Sequence, residues 1–140
     1  MITKSYTFTT KEVSQDEIWK LVSDVDNWQS WDKSVDESNI EGDFESGNSF
    51  LLKPKGAGRI RIYLDEVIPN SYYRDITKFP FAKMYGEHWY ENSDEDLKIT
   101  IKLSIKGLFA PLWYIIVMKD IVKNLENNIK TQLQTIKNAR

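Results

Sequence analysis

The chain has 140 residues, a net charge of −2 and no cysteine, so its length fits one domain (residues 1–140), and disulfides, cysteine–zinc sites and thiol nucleophiles are excluded. The sequence lacks the basic stripe of nucleic-acid-binding proteins and any dinucleotide or metal signature, so we expect neither a nucleic-acid partner nor a cofactor. The longest apolar run, residues 108–118, is shorter than the roughly 20 residues that span a bilayer, and no signal-peptide core is visible, which predicts a cytoplasmic protein without stable membrane insertion.

The first part of the chain predicts a strand followed by two short helices. Residues 2–9 alternate along a stretch rich in β-forming side chains, which indicates a strand. Ser14 and Glu17 fit the capping box that opens a helix. Residues 24–31 indicate the end of that helix and a second short one, with Asp26 as its cap. The aspartates of this region fit caps and turns better than a metal site, because calcium-loop spacing is absent.

The middle of the chain predicts a meander of antiparallel strands. Polar turns containing glycine separate four short strands, at about residues 35–41, 48–54, 58–68 and 71–79. A hairpin follows over residues 79–107. Its second strand alternates apolar and polar side chains from Leu97 to Lys106, which is typical of a strand with one buried and one solvated face. One long helix, roughly residues 111–138, closes the chain.

This order of elements indicates an α+β fold with an antiparallel sheet. A meander of six or seven strands twists strongly, and one helix laid in its concave face cannot fill all of it. The remaining space is either filled by large side chains or left as a cavity.

Four stretches of the sequence carry a resemblance to a known superfamily. They are Trp19 with residues 25–32, residues 42–47, residues 79–91, and residues 105–108 before the terminal helix. On these residues the chain resembles the polyketide cyclase/dehydrase-type members of the START/Bet v 1-like (SRPBCC) superfamily. The resemblance implies a helix-grip fold, in which a curved antiparallel sheet wraps around a long C-terminal helix, two short helices follow the first strand, and a deep hydrophobic cavity lies inside. The superfamily includes lipid carriers, hormone-binding proteins and aromatase/cyclases, so the fold does not settle the function.

The first half of the terminal helix, which we call its front, is apolar around more of its circumference than the second half. A regular stripe runs along it at steps of three or four residues: Ile115, Met118, Val122, Leu125, Ile129, Leu133 and Ile136. Further apolar residues widen this stripe over the first turns only. Three arrangements would account for that: residues 108–111 and the first helix pack over the front, a ligand cavity lies there, or the surface meets a membrane or a second subunit.

Alternate residues of a strand point to the same face, so the sequence indicates which residues would line such a cavity. The set is mostly apolar with a few polar points, as in small-molecule sites, and comprises Phe50, Leu52, Ile60, Ile62, Phe79, Phe81, Met84, His88, Tyr90, Leu103, Trp113 and Val117. It favours a flat or apolar ligand such as a lipid, polyketide, isoprenoid or aromatic metabolite.

His88 is the only histidine, and histidine is the side chain that ordinarily changes charge near neutral pH. If it shares an inward face with Met84, Gly86 and Tyr90, then His88 with Tyr90 or Tyr85 is a candidate catalytic acid/base pair for an aldol-type cyclisation. The alternative is a buried structural histidine, or one on the solvated face.

Two further features have a structural and a functional interpretation. Trp28 and Trp31 either plug the end of the core or cap the pocket. Residues 53–59 are basic and contain glycine but lack phosphate-loop spacing. They form either a simple hairpin connection or a mobile lid.

Three functions fit these observations. We favour a non-catalytic protein that binds a hydrophobic small molecule in an internal cavity between the sheet and the terminal helix. The first alternative is a polyketide cyclase/dehydratase that uses His88 and a tyrosine as acid and base. The second is a protein-interaction module that uses the solvated face of the sheet, where Lys98, Lys102 and Lys106 form a basic row. The sequence leaves open the ligand, any catalysis, and the choice between monomer and homodimer.

Overall fold

Seven antiparallel strands form one sheet in the computed structural model, which describes residues 1–140. In chain order they are β1 (Ile2–Thr10), β2 (Val35–Ile40), β3 (Ser49–Pro54), β4 (Ile60–Ile68), β5 (Tyr72–Phe79), β6 (Ala82–Ser93) and β7 (Asp96–Lys106). Their order across the sheet is β1-β7-β6-β5-β4-β3-β2. β2 to β7 therefore form a meander and β1 pairs with the last strand, which confirms the predicted antiparallel sheet.

Side chains alternate along β7 between the two faces of the sheet, a buried concave face and an exposed convex face. Its five apolar side chains from Leu97 to Ile105 are all buried, whereas Lys98 and Lys106 are exposed on the convex face. Bulges interrupt the ladder in β2 before Glu37 and in β4 before Glu66. Such bulges bend a strand and increase its twist, and both lie on the side of β5 that is away from β7.

Two short helices follow β1, as predicted. The first, α1 (Gln15–Ser23), has the predicted capping box: the Glu17 amide donates to Ser14 Oγ at 3.1 Å, and the Ser14 amide donates to the Glu17 carboxylate at 3.0 Å. The second is a 3₁₀ helix, Val25–Ser30. Asp26 is not its cap, because the helix begins one residue earlier. Its carboxylate instead accepts the Ile40 amide at 2.8 Å.

One long helical segment closes the chain, as predicted, and it is interrupted twice. It consists of α2 (Ala110–Trp113), a π-helical segment (Tyr114–Met118), α3 (Lys119–Lys123) and α4 (Leu125–Asn138). Asn124 separates α3 from α4, and its side-chain amide donates to the Asp120 carbonyl at 2.8 Å. A side chain that bonds the preceding turn competes with the backbone ladder and favours such a break.

The π-helical segment changes which residues of the terminal helix face the sheet. Met118 and, in α4, Leu125, Ile129, Leu133 and Ile136 are buried as predicted. Ile115 was expected in the same stripe, yet it is 67% exposed. A π turn holds an extra residue, so spacing of three and four residues cannot be extended backward across it.

The front of the terminal helix is therefore only partly buried. Leu112, Ile115 and Ile116 are exposed, as are Leu108 and Phe109 before them. α1 packs against α4, at the other end of the helical segment. The first of the three arrangements, in which residues 108–111 and the first helix cover the front, is wrong.

Candidate functional site

A paired aspartate and histidine lie on the mainly apolar concave face. Asp75 in β5 is opposite Gly86 in β6, and His88 is opposite Tyr73, so all four share that face. His88 Nε2 lies 3.0 Å from Asp75 Oδ2. The histidine side chain is 15% exposed and the aspartate side chain 18%. The pair therefore faces accessible space and is not sealed in the core.

Gly86 provides the room for this pair. A Cβ atom built on Gly86 would lie 2.8 Å from Asp75 Oδ1 and 2.9 Å from Oδ2, both closer than van der Waals contact allows. The carboxylate therefore lies over the backbone of Gly86, where no other residue would leave space for it.

The proton on this histidine follows from the chemistry of its partner. An ionised carboxylate can only accept hydrogen bonds, so His88 Nε2 carries the hydrogen and donates it to Asp75. In a neutral imidazole the other ring nitrogen is then an acceptor. His88 Nδ1 is thus the atom of the pair that can accept a hydrogen bond or a proton from a bound molecule.

The tyrosine beside His88 is Tyr73, which the sequence did not indicate. Its ring stacks on the imidazole with centroids 4.0 Å apart and planes 9° apart. Burial raises the pKa of the Tyr73 hydroxyl well above its ordinary value, and its neighbours Tyr90 and Asp75 raise it further. Burial likewise raises the pKa of Tyr90. Both hydroxyls stay protonated at neutral pH and cannot act as bases.

Of the candidate acid/base residues, only His88 is placed for that role. Tyr90 shares its face but is fully buried. Tyr85 lies opposite Ile76 and Ser104 and points to the convex face. Pairing of His88 with Tyr85 is therefore wrong.

The predicted wall residues fall into three groups. Four are buried in the core: Phe50, Met84, Tyr90 and Leu103. Seven are half-buried, namely Leu52, Ile60, Ile62, Phe79, His88, Trp113 and Val117. The strand members of this second group lie on the concave side of β3 to β6 by register. These seven side chains keep part of their surface accessible on the concave side of those strands and at the front of the terminal helix, and we call the region that they share the concave groove. Their role in binding stays a prediction.

Phe81 alone forms the third group, because it does not line the concave groove. It lies in the turn between β5 and β6 with a φ of 58° and is 68% exposed. The parity argument assumed an extended strand at this position, and a left-handed turn residue breaks the alternation. Its ring packs against Phe109, with centroids 5.1 Å apart.

Aromatic side chains bound the concave groove at both ends. Trp113 stacks on Phe79 with centroids 4.8 Å apart, and its indole N–H donates to the Pro80 carbonyl at 2.9 Å. Beyond the Asp75–His88 pair, Trp19 of α1 meets the Tyr73 ring edge-on at 6.1 Å. These contacts place aromatic rings on both sides of the polar pair.

Trp28, one of the features with two interpretations, has a structural role. Trp28 packs edge-on against Phe50 at 5.2 Å and donates its indole N–H to the Val22 carbonyl at 3.1 Å, which is the contact expected of a core plug. Residues 53–59 contain the hairpin connection between β3 and β4. The carboxylates of Asp26 and Asp32 accept backbone amides, and that of Asp24 accepts the Asn27 side chain.

A cavity in the protein surface lies away from the concave groove. Its volume is about 350 Å³, and it lies between the chain before α1, the β6–β7 turn and Arg140. Charged and polar residues line most of it, including Glu12, Glu17 and Asp94. Such a lining does not suit an apolar ligand. The concave groove is thus the candidate site, and an enclosed cavity there stays a prediction.

Comparisons with known proteins agree with this architecture. The family described as "Polyketide cyclase / dehydrase and lipid transport" matches residues 1–139. A START superfamily protein from Mycobacterium smegmatis is 15% identical with a TM-score of 0.75, over 99% of each chain. An aromatase/cyclase from Streptomyces sp. R1128 is 14% identical with a TM-score of 0.72, over 97% of this chain and 93% of that one. A hypothetical protein from Helicobacter pylori is 12% identical with a TM-score of 0.76, over 96% and 87%.

At these identities the similarity shows a shared fold, and it confirms the predicted helix-grip architecture. A search of curated proteins finds no match. None of the helices is long and apolar enough to cross a membrane.

Proposed function

Because the chain belongs to the polyketide cyclase/dehydrase and lipid transport family, we propose that it binds a hydrophobic small molecule in the concave groove. One observation carries this proposal: the Asp75–His88 pair stays accessible on the floor of a groove whose other members are mostly apolar. An apolar site with a few fixed polar groups is the usual composition of a small-molecule site. We expect the protein to act in the cytoplasm, as a monomer or homodimer.

The polar pair narrows the chemistry of the ligand. His88 Nδ1 is left as an acceptor, because Nε2 donates to Asp75 at 3.0 Å. A ligand that carries a hydroxyl or phenol group would satisfy this nitrogen while its apolar body contacts Ile62 and Phe79. Lipids, polyketides, isoprenoids and aromatic metabolites with such a group all fit this description.

Filling the groove tests the proposal. Ile62 is half-buried on the concave side of β4, so Ile62→Trp would occupy the space of a ligand. We expect 2-naphthol, a flat apolar probe with one hydroxyl, to bind the wild-type protein. Ile62→Trp should weaken that binding by more than about tenfold, a loss of roughly 1.4 kcal/mol. Titration followed by naphthol fluorescence measures both affinities.

The matched control is Ile68→Trp, an identical change at an exposed position of the same strand. It should leave the affinity for 2-naphthol within about twofold. Equal weakening by both variants, or no binding by the wild-type protein, would contradict the proposal.

The Asp75–His88 contact also supports the catalytic alternative. A carboxylate that fixes the tautomer of a histidine leaves its other nitrogen ready to take a proton, as in general-base catalysis. We therefore propose as second candidate that His88 Nδ1 removes a proton from the carbon between two carbonyl groups of a polyketide-like chain. The resulting enolate carbon would then attack another carbonyl, farther along the chain. The imidazolium would return the proton to the new alkoxide.

Deuterium exchange at C2 of an acetoacetyl thioester separates the two candidates. A catalytic histidine should accelerate exchange by at least about 100-fold over His88→Gln, as measured by NMR in heavy water. Tyr85→Phe, on the convex face, is the control and should exchange like the wild-type protein. If the wild-type protein exchanges no faster than His88→Gln, the catalytic candidate is wrong and binding alone remains.

A further inference from the structure

An exposed apolar patch lies at one end of the molecule. The β5–β6 turn, the chain after Gly107 and the start of the terminal helix meet there. The patch consists of side chains that are between 41% and 78% exposed: Phe81, Leu108, Phe109, Leu112, Ile115 and Ile116. Phe81 and Phe109 hold its parts together, because their rings are in contact and the Phe109 amide donates to the Phe81 carbonyl at 3.0 Å.

This concentration of apolar surface is unusual for an isolated chain. Six of the ten large apolar residues that are exposed belong to the patch, so the exposure is not scattered. A contiguous exposed apolar surface with a polar rim marks a site of contact with another surface.

Lysines border the apolar patch on two sides. On the convex face Lys83 is the cross-strand neighbour of both Lys78 and Lys106, which sets three lysines in a row. The ammonium groups of Lys78 and Lys106 lie over tyrosine rings of the same face, at 4.5 and 5.0 Å from the ring centroids. On the helix, Lys119 and Lys123 continue the line of Ile115 and Ile116 and are exposed. None of these five lysines forms an ion pair with a carboxylate (ion pairs of the chain involve other residues).

The surrounding sequence adds little negative charge. Within residues 78–84 and 106–123 there are five lysines and one acidic residue, Asp120. The chain as a whole carries a net charge of −2. The positive charge is therefore concentrated around the apolar patch, against the overall balance of the protein.

We propose that the apolar patch and its bordering lysines dock the protein on the surface of an anionic phospholipid bilayer. Apolar side chains that enter the headgroup region, bordered by lysines that meet lipid phosphates, are the two features that bind peripheral proteins reversibly to such membranes. The charge distribution disfavours a second copy of the chain as the occupant. A symmetric dimer through this patch would bring the two sets of lysines together.

Docking in this way would bring the concave groove to the bilayer. Trp113, which closes one end of the groove, follows directly after Leu112 of the patch. Membrane docking goes beyond ligand binding and does not depend on it, since the apolar patch and its lysines lie wholly on the outer surface.

Vesicle sedimentation tests the docking proposal. We expect the wild-type protein to bind phosphatidylcholine vesicles that contain phosphatidylglycerol and not vesicles of phosphatidylcholine alone. The double variant Lys119→Glu/Lys123→Glu should weaken binding at least about 25-fold, because each lysine near an anionic surface contributes about fivefold. Ile115→Ser/Ile116→Ser should weaken it at least about tenfold. Ile68→Ser and Lys98→Glu, exposed positions outside the patch, should stay within about twofold of the wild-type protein.

Three outcomes would overturn the proposal: no binding to anionic vesicles, equal loss in the control variants, or binding that both double variants retain. Sedimentation velocity tests the alternative that a second copy of the chain covers the apolar patch. A wild-type dimer that Ile115→Ser/Ile116→Ser converts to a monomer, without vesicle binding by either protein, would assign the patch to self-association instead. Far-ultraviolet circular dichroism of each variant establishes that it is folded before it is compared.

Discussion

Replacing Gly107 with alanine is expected to destabilise the protein by about 3 kcal/mol, because the new Cβ atom has no room and the backbone is in a left-handed conformation. Gly107 has a φ of 124°, a region that residues with a side chain rarely adopt. Its Cβ would lie 2.5 Å from the Phe81 carbonyl oxygen and 2.8 Å from Ala82 Cα. Both are backbone atoms, which cannot rotate away as a side chain could.

Urea denaturation followed by circular dichroism measures this effect. Gly58→Ala is the matched control, because the φ of Gly58 is not in the left-handed region and its Cβ would meet nothing within 4 Å. The control should be neutral or slightly stabilising. If the two variants had equal free energies of unfolding, the close contact between Gly107 and the β5–β6 turn would not exist in solution.

Gly86→Ala is expected to cost about 2 kcal/mol by displacing the Asp75 carboxylate and breaking its contact with His88. The Cβ atom would lie 2.8 Å from Asp75 Oδ1. Here the clash is with a side chain, so its cost depends on whether that side chain is present. Denaturation of the single variant gives the cost, and the ¹⁵N NMR signals of His88 report whether its tautomer is still fixed.

A double-mutant cycle isolates the cause of this effect. In an Asp75→Ala background the obstacle is gone, so adding Gly86→Ala should be neutral or slightly stabilising, since alanine suits a strand better than glycine. If Gly86→Ala cost the same free energy in both backgrounds, Gly86 would be needed for a reason other than the position of Asp75.

The sheet could be predicted from the sequence because its signals are local. The alternation from Leu97 to Lys106 defines both faces of one strand, and pairing transfers that assignment to the neighbouring strands. Turn residues such as Asn70, which has a φ of 68°, mark where each strand ends. The α+β architecture followed from these features.

The front of the terminal helix could not be predicted in the same way. A π-helical segment leaves no simple signal in a pattern of apolar residues, and Tyr114–Met118 is apolar all round. The stripe extrapolated across it placed Ile115 inside, whereas the structure exposes it. The resulting patch became visible only once the phase of the helix was known.

The candidate site was found in part. The sequence named His88 as the residue most able to do chemistry, and pairing with β7 places it on the concave face. It did not name Asp75, because β5 mixes polar and apolar residues on both faces: Tyr72, Arg74 and Ile76 alternate with Tyr73, Asp75 and Thr77. That Asp75 lies opposite Gly86 is a matter of register between two strands, which neither strand reveals alone.

Native mass spectrometry of the protein, purified without removal of lipids, tests the central claim most directly, because it needs no assumption about the ligand. We predict that the wild-type chain and Ile68→Trp each retain a small molecule of the same mass. Ile62→Trp, whose new side chain fills the concave groove, should appear as the bare chain. A bare mass for the wild-type protein, or the same bound mass in Ile62→Trp, would contradict the proposal that the concave groove binds a hydrophobic ligand.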